Sequence, residues 1–187
     1  MAESSQPSVL IDAAAIHARV VELASEIAPD FPEGVHLVAV LKGAFVFLAD
    51  LMRHLSIPVS IDFLAVSSYA SGTTTSGEVR VLKDLEIALD GRDVLLVEDI
   101  IDTGLTLSYL HDILQARSPR SLRTAALLSK PSRRRLNVPL DYVGFTIPDR
   151  FVVGYGMDHG ERYRNLTYVG FLEQSVEEAF GAEHRRV

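Results

Sequence analysis

The segment Glu98-Asp99-Ile100-Ile101-Asp102-Thr103-Gly104-Leu105-Thr106 concentrates the chemistry of this chain. It follows an apolar run, Val94-Leu95-Leu96-Val97, and leads into a stretch of helical character from Leu105 to Arg117. Three acids within five positions at the end of a buried strand are costly unless they meet cations or polar ligands. Thr103-Gly104-Leu105-Thr106 then offers successive backbone N–H groups, two hydroxyls and a residue without a Cβ at a helix N-terminus. Those are the parts of a phosphate cradle. Acids beside a cradle suit a ligand that carries phosphate and hydroxyls together, a sugar phosphate. Glu98 and Asp99 can accept hydrogen bonds from a vicinal diol or hold Mg²⁺ through water. Taken alone, Asp102 also reads as a helix cap and its neighbours as solvated loop acids. A second candidate is Leu41-Lys42-Gly43-Ala44, where Lys42 brings a positive charge and Gly43 lets backbone approach an anion closely.

The elements that must position these residues follow from the hydrophobic pattern. Ile16, Val20, Leu23 and Ile27 recur at helical spacing between Asp12 and Ala28, with Asp12 as N-cap and Pro29 and Pro32 ending the helix. His36–Leu41 is an apolar run of strand type, 43–55 returns to helical character, and Ser60–Val66 reads as a second strand. Residues 67–78 are almost devoid of apolar side chains and read as a loop, with Val79–Leu82 a strand returning from it. Further strands are expected at Val94–Val97, Leu122–Leu128 and Tyr142–Ile147. Runs apolar on both faces fit a parallel sheet covered by helices on both sides, an α/β doubly wound domain. In such sheets ligands bind beyond the carboxyl ends of the strands.

Composition narrows the partners. With 187 residues the chain suits a single domain, and 18 Lys plus Arg against 25 Asp plus Glu leave a formal charge of −7. That balance argues against nucleic acid or an anionic membrane as partner, since both need a positive field. The basic triplet Arg133-Arg134-Arg135 accordingly reads as a solvated loop face. Zero Cys removes disulfides, thiolate catalysis and zinc-finger sites. No apolar run reaches the roughly 18 residues of a membrane span. The start, Met1 to Pro7, lacks the features of a signal peptide, so a cytoplasmic location is expected.

The segment from Val94 through Thr106 resembles the signature of the type I phosphoribosyltransferases, whose substrate is 5-phosphoribosyl-1-pyrophosphate. The resemblance implies that Asp102, Thr103, Gly104, Leu105 and Thr106 hold the 5′-phosphate and that Glu98 and Asp99 face the ribose hydroxyls. Leu41-Lys42-Gly43-Ala44 looks like the pyrophosphate loop of the hypoxanthine-guanine branch, in which the peptide before the lysine is often cis; a cis Leu41–Lys42 bond is predicted. Ser67-Ser68-Tyr69 through Gly77-Glu78 resembles that branch's mobile catalytic loop, a lid marked by Ser68 and Tyr69 that would exclude water. Gly72 to Gly77 does not make a P-loop, because Glu78-Val79 stands where Lys-Ser/Thr is required.

Ser129-Lys130-Pro131 and Asp149-Arg150-Phe151-Val152 through Asp158 match the purine pocket of the hypoxanthine-guanine phosphoribosyltransferases, and the match continues through Glu161-Arg162-Tyr163-Arg164-Asn165-Leu166. The chemistry agrees with that role. Phe151 supplies a face for stacking, Lys130 a donor for a 6-oxo group, and carbonyls near Val152 and Asp158 acceptors for ring N–H and amino groups. Asp158 can ligate Mg²⁺ beside Glu98 and Asp99, and Arg164 can grip pyrophosphate with its fork. The likeness spans Leu10 to Phe171, with departures at Leu105, where relatives often carry a polar side chain, and at His159, where Tyr is frequent.

The resemblance implies one phosphoribosyltransferase domain over residues 1–187, with a hood formed by the N-terminal segment and about 148–172. It also implies assembly as a homodimer or homotetramer. The expected reaction is Mg²⁺-dependent transfer of 5-phosphoribose to N9 of hypoxanthine or guanine, with Asp102 as general base for the N7 proton. Two other readings are a relative selective for xanthine and guanine, and a regulator of the same fold that binds nucleotide or RNA. The second should show a basic face and often lacks the catalytic acid, so the acidic chain with Asp102 present favours an enzyme.

Overall fold

The computed structural model describes residues 6–68 and 79–172. Tyr69 and the rest of the expected catalytic loop lie outside the described residues, apart from Ser67 and Ser68. The order of elements is β1 (Ser8–Ile11), α1 (Ala13–Ile27), β2 (Val35–Leu41), α2 (Phe45–His54), β3 (Val59–Ser68) and β4 (Val79–Lys83), then β5 (Asp93–Ile101), α3 (Leu105–Gln115), β6 (Ser121–Ser129), β7 (Tyr142–Thr146), β8 (Val152–Val153) and β9 (Val169–Phe171). Asp12 caps α1 as its sequence position suggested, its Oδ1 accepting from Ala15 N at 2.8 Å. Pro29 falls in the 3-10 turn that ends the helix.

Six strands form the main sheet in the order β4-β3-β2-β5-β6-β7. β3, β2, β5, β6 and β7 run parallel, and β4 closes one edge antiparallel to β3. The chain builds outward from β2 through β3 to β4, then returns to place β5 on the other side of β2. That reversal between β2 and β5 is a topological switch point, where the loops leaving two neighbouring strands diverge and open a crevice.

The apolar runs make sense on this frame. Leu37 and Ala39 of β2 and Leu95 and Val97 of β5 face α1 and α2, packing with Val20, Leu23, Phe47 and Leu51. Val38, Val40, Val94 and Leu96 point the other way, to Leu107, Leu110 and Leu114 of α3. Each central strand is thus apolar on both faces because both faces are covered. A second sheet of three strands, in the order β1-β9-β8, is antiparallel. Val152, Tyr155, Met157 and Val169 from this region join the core under α1 and α2, and Tyr155 donates to Asp50 of α2 at 2.5 Å.

Two expectations need correction. β5 does not end at Val97: its pairing with β6 continues through Glu98↔Ala126, Ile100↔Leu128 and Ile101↔Ser129. Glu98 and Asp99 are therefore strand residues, not loop acids. Nor does Asp102 cap α3, whose N-cap is Gly104 at φ +85°, with no side-chain cap.

Candidate active site

The turn after β2 packs its backbone against the Asp99 carboxylate. The Leu41–Lys42 peptide is cis, as its motif predicted. A Cβ on Gly43 would lie 1.7 Å from Asp99 Oδ2, so any larger residue there would displace the β5 carboxylate. Lys42 is thereby held beside the end of β5.

A cleft of about 640 Å³ opens at this switch point. Lys42 and Gly43 come to it from the β2 turn, Asp99 and Asp102 from the end of β5, and Lys130 from the end of β6. Phe151, Val152, Asp158 and Arg164 enter from the C-terminal third. A smaller hollow of about 210 Å³ adjoins it, lined by Glu98, Asp99, Asp102, Thr103, Gly104 and Thr106. Glu98 thus belongs to the hollow and not to the larger cleft, while Leu105 lines neither and is 42% exposed. Ser68 ends β3 opposite Val79.

The hollow is shaped from behind by the segment after β6. Arg135 N and Leu136 N both donate to Thr103 O, at 2.9 and 3.3 Å. Arg134 Nη2 donates to Ser129 Oγ at 2.9 Å. Arg133 enters the cleft, with Nε 3.2 Å from Asp102 Oδ1 and Nη1 3.4 Å from Asp149 Oδ1. The basic triplet is exposed at Arg133 and Arg135, as expected from composition, yet it also has contacts composition did not suggest: one guanidinium orients Asp102, another ties β6, and the backbone of the third holds Thr103. Its closeness to Lys130-Pro131 in sequence was the available signal, since a turn at Pro131 brings the triplet back over the end of β5.

Charge is arranged unevenly. Burial pushes the Glu98 carboxyl well above the ordinary range, and the neighbouring Asp99 charge adds to this. Asp99 is pushed up to about 6, mainly by burial, against the opposing effect of backbone N–H donors and Arg164; Asp158 pushes it further up. Asp158 Oδ1 lies 2.8 Å from Arg164 Nη2, and Arg164 Nη1 donates to Gly156 O at 2.8 Å. Lys130 is only 6% exposed, and among the described residues no carboxylate pairs with its ammonium. Phe151 is 42% exposed, with the His159 ring packed edge-on at 5.1 Å and 78°.

Among the described residues, no three His, Asp or Glu side chains converge to form a metal cage. The donor set fits Mg²⁺ in another way, because that ion is commonly held by one or two carboxylates with water and substrate oxygens. Asp99 and Asp158 line one cleft, and the Asp158 charge raises the Asp99 carboxyl pKa, so a cation between them would relieve Asp99.

Sequence reasoning gave Arg133 no place in the site and assigned Asp149 and Glu161 no role within the motifs that contain them. The Glu161 carboxylate reaches Lys42 Nζ at 2.9 Å and Arg164 Nη2 at 3.3 Å.

Comparison with known proteins bears on this geometry. A family model described as "Phosphoribosyl transferase domain" matches residues 10–159. The chain is 47% identical over 172 residues to the hypoxanthine-guanine phosphoribosyltransferase of Bacillus subtilis, covering 91% of this chain and 96% of that protein. It is 51% identical over 176 residues to the enzyme of that name from Mycobacterium tuberculosis strain H37Rv, covering 90% of this chain and 87% of the relative. Among solved structures, a hypoxanthine phosphoribosyltransferase of Trypanosoma cruzi superposes with a TM-score of 0.90 at 40% identity, covering 97% of this chain and all of its own. With the switch-point cleft, these matches show that the chain belongs to the phosphoribosyl transferase family, in its hypoxanthine-guanine branch and with the type I phosphoribosyltransferase fold.

Proposed function

We propose that the chain transfers 5-phosphoribose from 5-phosphoribosyl-1-pyrophosphate to N9 of hypoxanthine or guanine, releasing pyrophosphate and yielding IMP or GMP for purine salvage. The observation that carries this reading is the meeting, at one switch point, of three chemistries. These are the Asp102–Thr106 cradle, the Lys42 and Arg164 cations, and the Lys130 and Phe151 wall.

Each residue has a task that its geometry permits. Backbone N–H groups at the start of α3, with Thr103 and Thr106, bind the 5′-phosphate; Leu105 contributes through its backbone alone. Glu98 and Asp99 face the ribose hydroxyls. Departure of pyrophosphate from C1′ develops positive charge on the ribose, and Lys42 and Arg164 neutralise the leaving group. Asp99 and Asp158, with Glu98 behind them, are the residues that would hold Mg²⁺, which neutralises further phosphate charge when bound. The base stacks on Phe151 beside Val152, and Lys130 donates to its 6-oxo group. Asp102, oriented by Arg133, accepts the N7 proton and so raises the electron density at N9. The loop carrying Ser68 and Tyr69 is assigned the exclusion of water.

A single domain with β1, β8 and β9 as its hood, working in the cytoplasm as a homodimer or homotetramer, completes the proposal. The Trypanosoma cruzi relative is described by the role of its C-terminal region on its oligomeric state. Among the described residues no helix is long and apolar enough to cross a membrane, and the net charge of −7 disfavours nucleic acid.

The test is steady-state kcat/KM with hypoxanthine, guanine, xanthine and adenine in the presence of 5-phosphoribosyl-1-pyrophosphate and Mg²⁺. The 6-oxopurines should exceed adenine by roughly 10²-fold or more, because an amino group facing Lys130 sets two donors against each other. A preference for adenine overturns the pocket assignment.

A further inference from the structure

Both cations assigned to the departing pyrophosphate meet one carboxylate in this structure. Glu161 Oε2 lies 2.9 Å from Lys42 Nζ, and Glu161 Oε1 lies 3.3 Å from Arg164 Nη2. One oxygen on each cation is the arrangement in which a phosphoryl group would bridge them. The Lys42 and Glu161 side chains are 63% and 66% exposed, so water and a soluble anion can reach and exchange the contact.

The backbone gives an independent reason to assign Glu161 a task. His159 N donates to Arg162 O and Arg162 N to His159 O, each at 3.2 Å, which closes a tight hairpin. Its central residues, Gly160 at φ +58° and Glu161 at φ +62°, are both left-handed, as primed hairpin turns require. Glycine or asparagine fits the second of these positions at little cost, whereas a long side chain meets its own backbone there. Asp158 stabilises the turn by accepting from Glu161 N at 2.8 Å while its other oxygen contacts Arg164. A disfavoured conformation held in place beside a ligand site is a reason to look for function in the side chain.

We propose that Glu161 is a resident competitor for the pyrophosphate subsite, neutralising Lys42 and Arg164 between turnovers and returning to them as product pyrophosphate leaves. The inference rests on the assignment of that subsite made above. Its consequence is that pyrophosphate and 5-phosphoribosyl-1-pyrophosphate both bind less tightly than the two cations alone would permit, in exchange for faster release.

The experiment is calorimetric titration of inorganic pyrophosphate with Mg²⁺ into the full chain, its Glu161→Gln variant and, as a charge control, Glu33→Gln. Glu33 is an exposed carboxylate that pairs with Arg120 at 3.1 Å and lines neither the cleft nor the adjoining hollow. Glu161→Gln should bind pyrophosphate about 3–10-fold more tightly, the range for releasing two exposed ion pairs. Its KM for 5-phosphoribosyl-1-pyrophosphate should fall with it, and Glu33→Gln should stay within about twofold of the parent, since its ion pair lies outside the cleft. Glu161→Gly, which deletes the carboxylate and suits the left-handed backbone, should tighten binding equally without lowering the melting temperature. Equal or weaker binding in both Glu161 variants overturns the inference, as does equal tightening in Glu33→Gln, which would point to net charge. If the parent itself neither binds pyrophosphate nor transfers phosphoribose, the reading of the subsite fails as well; with parent binding and transfer intact, only the competitor role is lost.

Discussion

At the residue scale, the site is governed by which charge stands next to which. Asp102 is held from one side by Arg133 and lines both the cleft and the adjoining hollow proposed to take the phosphate. That position suits a group that must reach the base while the phosphate is bound. Asp102→Asn keeps the shape and removes the proton acceptor, so kcat should fall by roughly 10²–10⁴ with a modest change in KM. Single-turnover kinetics provides the check, and an unchanged chemical step would remove Asp102 from the role. The proposed Asp102-to-Thr106 cradle was legible in the sequence because its donors are contiguous in the chain. Arg133 was not, since a guanidinium two positions from a proline looks the same whether it faces water or a carboxylate.

At the element scale, β3 and β4 are joined to the following loop by one buried side chain. Asp62, 5% exposed, accepts from Phe63 N at 2.7 Å through Oδ1 and from Glu86 N and Ile87 N at 2.7 and 3.1 Å through Oδ2. Burial alone would raise its carboxyl pKa, but the three backbone donors and Lys83 outweigh burial and hold it below the ordinary value. A folded pKa below the unfolded one means that the contribution to stability is complete above the unfolded value, about 4. It is lost as pH falls through the folded value. Asp62→Ala should therefore destabilise by about 3 kcal/mol near neutrality, leaving buried N–H groups unpaired. Melting temperatures followed between pH 7 and 3 should converge for variant and parent toward the acid end. The strand holding Asp62 was foreseen over Ser60–Val66, two residues short at its C-terminal end. β5 was cut shorter, at Val97, because Glu98 and Asp99 are poor strand formers. The pairing of β6 carries the strand past them.

At the scale of the whole molecule, the order β4-β3-β2-β5-β6-β7 decides what the separate motifs can do together. Placing β5 beside β2 brings Gly43 onto the Asp99 carboxylate and Lys42 to the mouth of the cleft. A ligand spanning cradle, cations and acids should bind the folded chain and not the unfolded one. Saturating 5-phosphoribosyl-1-pyrophosphate with Mg²⁺ should therefore stabilise by about 2.7 kcal/mol at a hundredfold excess over its Kd. Thermal unfolding with and without a chelator checks this: removing Mg²⁺ should abolish most of the shift and the transferase activity together. The amino-acid sequence alone determined the apolar strands, the capped first helix and the family signature on which the proposed cradle rests. Each of these rests on residues within a few positions of one another. Only the tertiary structure decided that Arg133 faces Asp102 and that Glu161, 119 positions from Lys42, shares a carboxylate between Lys42 and Arg164. Contacts at that separation depend on strand order and register, which are settled by the packing of whole faces against one another and leave no local mark in composition or spacing.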